Sequence, residues 1–79
     1  MTWELLAQPG DSPTLIAQRV QAFEADAALQ ADREVRLWLL SLGASAHWIE
    51  VATARVQSHF ADRARNTAEA LWLRLNPLH

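Results

Sequence analysis

The stretch from Glu34 to Ile49 constrains the fold of this chain more than any other. Glycine adopts a left-handed backbone at little cost, and a serine hydroxyl accepts from the free N–H groups of a helix's first turn. Gly43 therefore predicts a helix stop and Ser45 an immediate restart. Before the stop, Val35, Trp38, Leu39 and Leu42 recur at helical spacing, while Leu37 and Leu40 fall on another side. A helix that is apolar on two sides needs two sets of neighbours. The expectation is a central bundle helix buried nearly all round; the alternative is a face kept for a partner chain.

The length of 79 residues fits one helical domain over residues 1–79. A chain this short buries only about 60 to 65% of its unfolded surface, so help from oligomerisation is expected. The absence of cysteine excludes disulfides, thiolate metal sites and cysteine nucleophiles. No apolar run reaches the ~18 residues of a membrane span, and Met1-Thr2-Trp3-Glu4 lacks the basic start of a secretion signal. A cytoplasmic protein is expected. All seven basic residues are arginine and alanine is abundant, a usage associated with bacterial or phage coding sequences. Residues 1–32 carry five acidic groups against Arg19, and residues 33–79 carry six arginines against four acidic groups. With a net charge of −2, the chain is far from the strongly basic balance of a domain that holds nucleic acid by charge alone.

The local signals are helical throughout. Tyrosine is absent, and no stretch alternates polar with apolar for long enough to form a strand. Thr2 predicts a short helix over residues 2–8 that Pro9-Gly10 ends and that packs as a lid. Ser12-Pro13 starts the next helix, about 13–30, with Ile16, Val20, Phe23 and Ala27 facing a core. Asp32 predicts a cap for a helix of about 32–42. From Ser45, one apolar stripe continues through Trp48, Ile49, Ala52, Val56, Phe60, Ala64, Ala68, Leu71, Trp72 and Leu75. As a single rod it would span ~45 Å, too long for a compact domain of this size unless another chain covered it. Asn66 with Glu69 forms a capping box, so the expectation is a break into helices of about 45–65 and 66–75. The fold class is all-α, a small bundle of three to four helices.

Residues 34–55 resemble a helix-turn-helix, with Leu39, Leu42, Gly43, Ser45, Ile49 and Ala52 at its packing and turn positions. Leu39 stands where that motif usually has a small residue. The resemblance implies a dimeric DNA-binding regulator in which Ser45, His47 and Val51 approach base edges and Arg55 approaches phosphate. That surface offers no leading asparagine, glutamine or arginine for bidentate base contacts, and Glu50 repels the backbone. The pattern Glu-Val-Arg-x-Trp, four residues, Gly-Ala-Ser also resembles the core of a family of small uncharacterised bacterial helical proteins. It implies a helical fold and no particular activity.

Chemistry-bearing constellations are sparse. His47 with Glu50 and His59 with Asp62 have ligand-compatible spacing, but on one helix the two pairs lie ~120° apart and cannot share an ion. The serines have capping or exposed positions, no His and Asp are placed to activate one, and Gly10 and Gly43 make no phosphate loop. No enzyme activity, cofactor or metal is expected. Four tryptophans are many for this length; Trp38, Trp48 and Trp72 fit core stripes, and tryptophan is also a favoured interface anchor. The expected function is a non-enzymatic protein-interaction module of adaptor, small-inhibitor or co-chaperone type. Its expected interface is Leu37, Leu40, Trp48, Leu71, Trp72 and Leu75, and its expected partners are a second copy of the chain and a further protein, with nucleic acid as the alternative.

Overall fold

The computed structural model describes residues 6–77, so the helix expected over 2–8, with Thr2 and Trp3, lies largely outside the described residues, as does His79. Within them the protein is all-α, with helices α1 (Pro13–Phe23), α2 (Ala25–Ser41) and α3 (Ala46–Leu75) and no strand. Each start and stop has a local cause. At the first, Ser12 Oγ accepts from Leu15 N–H at 3.1 Å and Pro13 occupies the opening helical position. After α2, Gly43 at φ +75° lets Ala44 N–H reach the Leu39 carbonyl and its own N–H reach the Leu40 carbonyl, both at 3.0 Å. This is the Schellman arrangement, which satisfies carbonyls that a helix end otherwise leaves open. Ser45 then caps α3, accepting from Trp48 N–H at 3.4 Å.

Two boundaries differ from expectation. The break placed near residue 31 falls instead at Glu24. Ala27, Ala28 and Ala31 favour helix, and Asp32 sits inside α2, paired with Arg36 Nε at 2.9 Å rather than capping anything. At Glu24 the backbone leaves the helical region (φ −92°, ψ 6°), yet its N–H still bonds Val20 and its carbonyl still accepts from Ala28. The junction is thus a kink in one arm, and it coincides with the Glu24 carboxylate turning to meet Arg63 at 3.3 Å. The second correction concerns Asn66, where α3 does not break. An interior asparagine costs under ~1 kcal/mol, whereas Ala64, Ala68 and Leu71 carry the buried stripe straight past it.

The result is an antiparallel helical hairpin with one kinked arm. Residues ascending α1 and α2 meet residues descending α3: Ile16 and Val20 share a core with Ala64, Ala68 and Leu71, Glu24 reaches Arg63, and Leu39 lines a groove with Ala52. The shape is long and flat, 55 × 22 × 14 Å. Its radius of gyration, 15.9 Å, exceeds the ~12 Å of a compact chain of this length.

The core lies at the open end, the base of the hairpin. Ile16 and Val20 are fully buried against the small side chains of Ala64 and Ala68, whereas Phe23 and Ala27, expected on the same core face, are exposed because the inward stripe runs on through Glu24 and Ala28. Ala7 closes this cluster from the N-terminal segment. That segment is held by a Pro9-Gly10 turn, in which Asp11 N–H donates to the Gln8 carbonyl at 3.0 Å and Gly10 has φ +100°. Arg19 fastens it to α1, pairing with the Asp11 carboxylate at 2.5 Å and donating to the Leu6 carbonyl at 3.3 Å. Along α2, in contrast, no residue is fully buried. The expectation that this helix is covered nearly all round is therefore corrected: only its Ala28, Asp32, Val35 and Leu39 side is sheltered, by α3.

Two changes test this account by urea denaturation. Ile16→Ala removes a fully buried side chain and lowers the unfolding free energy by ~2–5 kcal/mol. Gly43→Ala meets no neighbouring atom, so its cost of ~1–2 kcal/mol is the left-handed backbone alone, and Gly43→Asn loses less.

A candidate interaction surface at the hairpin tip

The turn end of the hairpin holds a concentration of exposed apolar side chains. Leu37, Trp38, Leu40, Leu42 and Trp48 are all between 59% and 68% exposed. Trp38, Leu42 and Trp48, expected on core stripes, are therefore surface residues. Their spacing is helical as read, but among the described residues a two-helix layer only 14 Å thick has no third element to cover them.

Helical rotation sorts these residues into two surfaces. Measured from the inward-facing Leu39 at ~100° per residue, Leu40 lies ~100° and Leu37 ~160° around α2, forming a ridge on one flank of the helix that turns away from α3 at Leu37. Leu29, also exposed, continues that ridge toward the kink. Trp38 and Leu42 lie ~100° and ~60° in the opposite sense. On α3, Trp48 and Ala52 lie ~100° and ~60° in that same sense from the buried Ile49. In an antiparallel pair, equal rotation senses lead to the same side, so Trp38, Leu42 and Trp48 share one broad face spanning both helices. A groove of about 320 Å³ runs along it, walled by Leu39, Ala44, Trp48, Val51, Ala52 and Arg55.

The charges around the tip balance. Asp32, Glu34 and Glu50 stand against Arg33, Arg36 and Arg55. Asp32 is neutralised by Arg36, and Glu34 accepts from Gln30 Nε2 at 3.2 Å. His47 meets the edge of Trp48 with ring centroids 5.7 Å apart, and His59 meets Phe60 likewise. The hydroxyl of Ser45 is committed to its cap, and that of Ser41 donates to the Trp38 carbonyl at 2.6 Å.

The expected interface set divides between the two ends. Leu37, Leu40 and Trp48 come together at the tip with most of their surface open. Leu71 is only 5% exposed in the base core, and Trp72 and Leu75 pack against that core, which leaves Leu71 little surface to offer. Of the residues expected near DNA, Ser45 and His47 are exposed in the first turn of α3, Val51 is half-buried, and Arg55 is exposed beside the groove. Trp38 and Leu42 were missing from the expected set. Nothing in the sequence marked them out, since their helical spacing matches that of core residues; among the described residues no further helix lies over that side of α2.

A larger groove of about 620 Å³ at the base, between α1 and the C-terminal half of α3, is walled by Ala17, Gln21, Arg65, Glu69, Trp72 and Leu73. Its large apolar side chains are more covered than those of the tip: Trp72 packs against the core and Leu73 is 44% exposed. Among the described residues no helix is long and apolar enough to cross a membrane. No family model, curated protein or solved structure matches this chain.

If the tip residues are free of the protein's own core, replacing them leaves the fold intact. Leu37→Asp and Leu40→Asp each stay within ~0.5 kcal/mol of the parent in urea denaturation. Leu71→Asp, which places an unpaired charge in the base core, loses the helical circular dichroism signal.

Proposed function

We propose that this chain is a non-enzymatic protein-interaction module, of the adaptor, small-inhibitor or co-chaperone type, that offers the Leu37 and Leu40 ridge at its tip to a partner protein. The observation that carries this reading is the concentration of large, mostly exposed apolar side chains at one end of a hairpin whose own core lies at the other. Isolated surface leucines need no explanation, but contiguous apolar patches of several hundred Å² mark interaction sites. Several side chains that catalysis would draw on have structural tasks here: Ser12 and Ser45 cap helices, Ser41 bonds backbone, and Asp32 and Glu34 pair along α2.

Charge speaks against duplex DNA as the partner. A DNA-reading helix gains most of its affinity from arginine and lysine on phosphate, and the balanced tip gives Arg55 no basic neighbour on its face. The α2 helix also lies alongside α3, whereas the helix-turn-helix arrangement crosses its two helices at a wide angle.

Affinity purification of the tagged chain from its native host, followed by titration calorimetry with the purified partner, tests the proposal. The expected result is one specific partner whose affinity falls by roughly tenfold or more with Leu37→Asp or Leu40→Asp, the loss of a buried anchor. Duplex binding that weakens steeply with salt and disappears in Arg55→Ala would replace this reading with the DNA-binding one.

A further inference from the structure

We propose that the Trp38, Leu42 and Trp48 face binds a second copy of the chain, two hairpins packing tip beside tip about a two-fold axis parallel to their length to complete a four-helix bundle. The proposal rests on the interaction-module reading and assigns the tip's two surfaces to different occupants, the tryptophan face to self-association and the Leu37 and Leu40 ridge to the partner protein.

Three observations select this occupant. The first is shape. The face spans both helices, so a matching face laid on it places each α2 over the other copy's α3, and every neighbouring pair in the resulting bundle runs antiparallel. The ridge, confined to one helix, cannot do this. With α2 ~25 Å long and the layer 22 Å wide, the covered area is of the order of the roughly 800 Å² per partner that stable complexes bury.

The second is the groove. Under the same rotation, Trp38 of one copy stands over Trp48, Val51 and Ala52 of the other, the walls of a groove of about 320 Å³ that accepts an indole ring. The operation is reciprocal, so two indoles enter two grooves. Tryptophan set in an apolar pocket near an interface centre is the side chain that most often anchors a complex.

The third is charge. A surface that meets itself must carry both signs at matching places. Glu34 lies on the outer edge of this face on α2, and Arg55 on the outer edge on α3, where it makes no ion pair among the described residues. The antiparallel alignment fixed by Glu24 with Arg63 and by Leu39 with Ala52 puts Glu34 and Arg55 at nearly equal heights. The rotation brings Glu34 of each copy to Arg55 of the other.

Sedimentation equilibrium of the full chain over a wide concentration range reads the outcome. The wild type is expected at twice the 8.9 kDa of one chain. Trp38→Ala should weaken the dimer by roughly tenfold or more, while Leu37→Asp and Leu40→Asp leave it unchanged. Because Trp38→Ala could also perturb α2, the charge pair supplies an independent check. Glu34→Arg and Arg55→Glu should each weaken association several-fold, and the double exchange should restore it. A wild type that stays monomeric would mean that the face serves a different protein, and this would overturn the proposal. So would a dimer lost through Leu37→Asp but indifferent to Trp38→Ala, or charge exchanges without effect. Partner binding is read separately, by titrating the purified partner into the Trp38→Ala protein: binding kept there and lost in Leu37→Asp upholds the ridge as the partner's site even where the dimer fails, so dimer and module stand or fall separately.

Discussion

The packing of Ile16 and Val20 onto Ala64 and Ala68 is the contact on which the rest of the hairpin depends. Two branched side chains on α1 fit against alanines on α3, where the absence of bulk lets the backbones approach and every methyl group finds neighbours. Burial of this kind is worth ~1.5–3 kcal/mol for each large side chain, more than any surface ion pair in the molecule contributes. The same contact sets the register. Once Val20 is placed against Ala64, Glu24 arrives opposite Arg63, and the inward residues of α2 follow down the length of α3.

From that anchor the arm continues with half-buried rather than fully buried side chains. Its inward stripe passes through Ile16, Val20, Glu24, Ala28, Asp32, Val35 and Leu39 at steps of three or four residues without losing phase at the kink. Two of these positions are carboxylates, and one oxygen of each, Glu24 Oε1 and Asp32 Oδ1, is buried without a hydrogen-bond partner. Such atoms carry a desolvation cost that a leucine would not. Opposite α2, the buried Thr53 returns its hydroxyl to the Glu50 carbonyl at 3.1 Å, so that group is satisfied within its own helix. Close packing at the base, a polar stretch at Glu24 and Asp32 and a smaller apolar contact of Val35 and Leu39 near the buried Ile49 come from one stripe whose chemistry changes along its length.

What the sequence made legible follows the same division between local and global causes. Ser12-Pro13, Gly43 and Ser45 act within a turn of themselves, and their effects could be read directly. The α3 stripe was legible too, apart from Trp48, because 3.6-residue periodicity needs no knowledge of the partner. The positions of Trp38, Leu42 and Trp48 were not. Periodicity says that they share a side with buried residues, but whether that side is covered depends on how many helices the chain can supply. The breaks at 31 and 66 failed for a related reason: Asp32 and Asn66 have the composition of caps, and what lies on either side, helix-favouring alanines around Asp32 and the buried stripe around Asn66, overrides a cap worth ~1 kcal/mol. At the candidate site, Leu37 and Leu40 could be named from the sequence because they are surplus to one stripe, whereas the groove exists only once two helices lie side by side.

The remoteness of the core from the tip also shapes how the molecule breathes. With Ile16, Val20, Ala64, Ala68 and Leu71 gathered at the base, the free energy of local opening rises from the turn toward the open end. Amide protons near Gly43 should therefore exchange with solvent through small partial openings, while those around Ala64 wait for the whole hairpin to come apart. Any chain that docks on the tip stabilises only the closed form, by an amount set by its concentration relative to its affinity. Occupancy of the tip is thus converted into rigidity of the end that is otherwise first to fray.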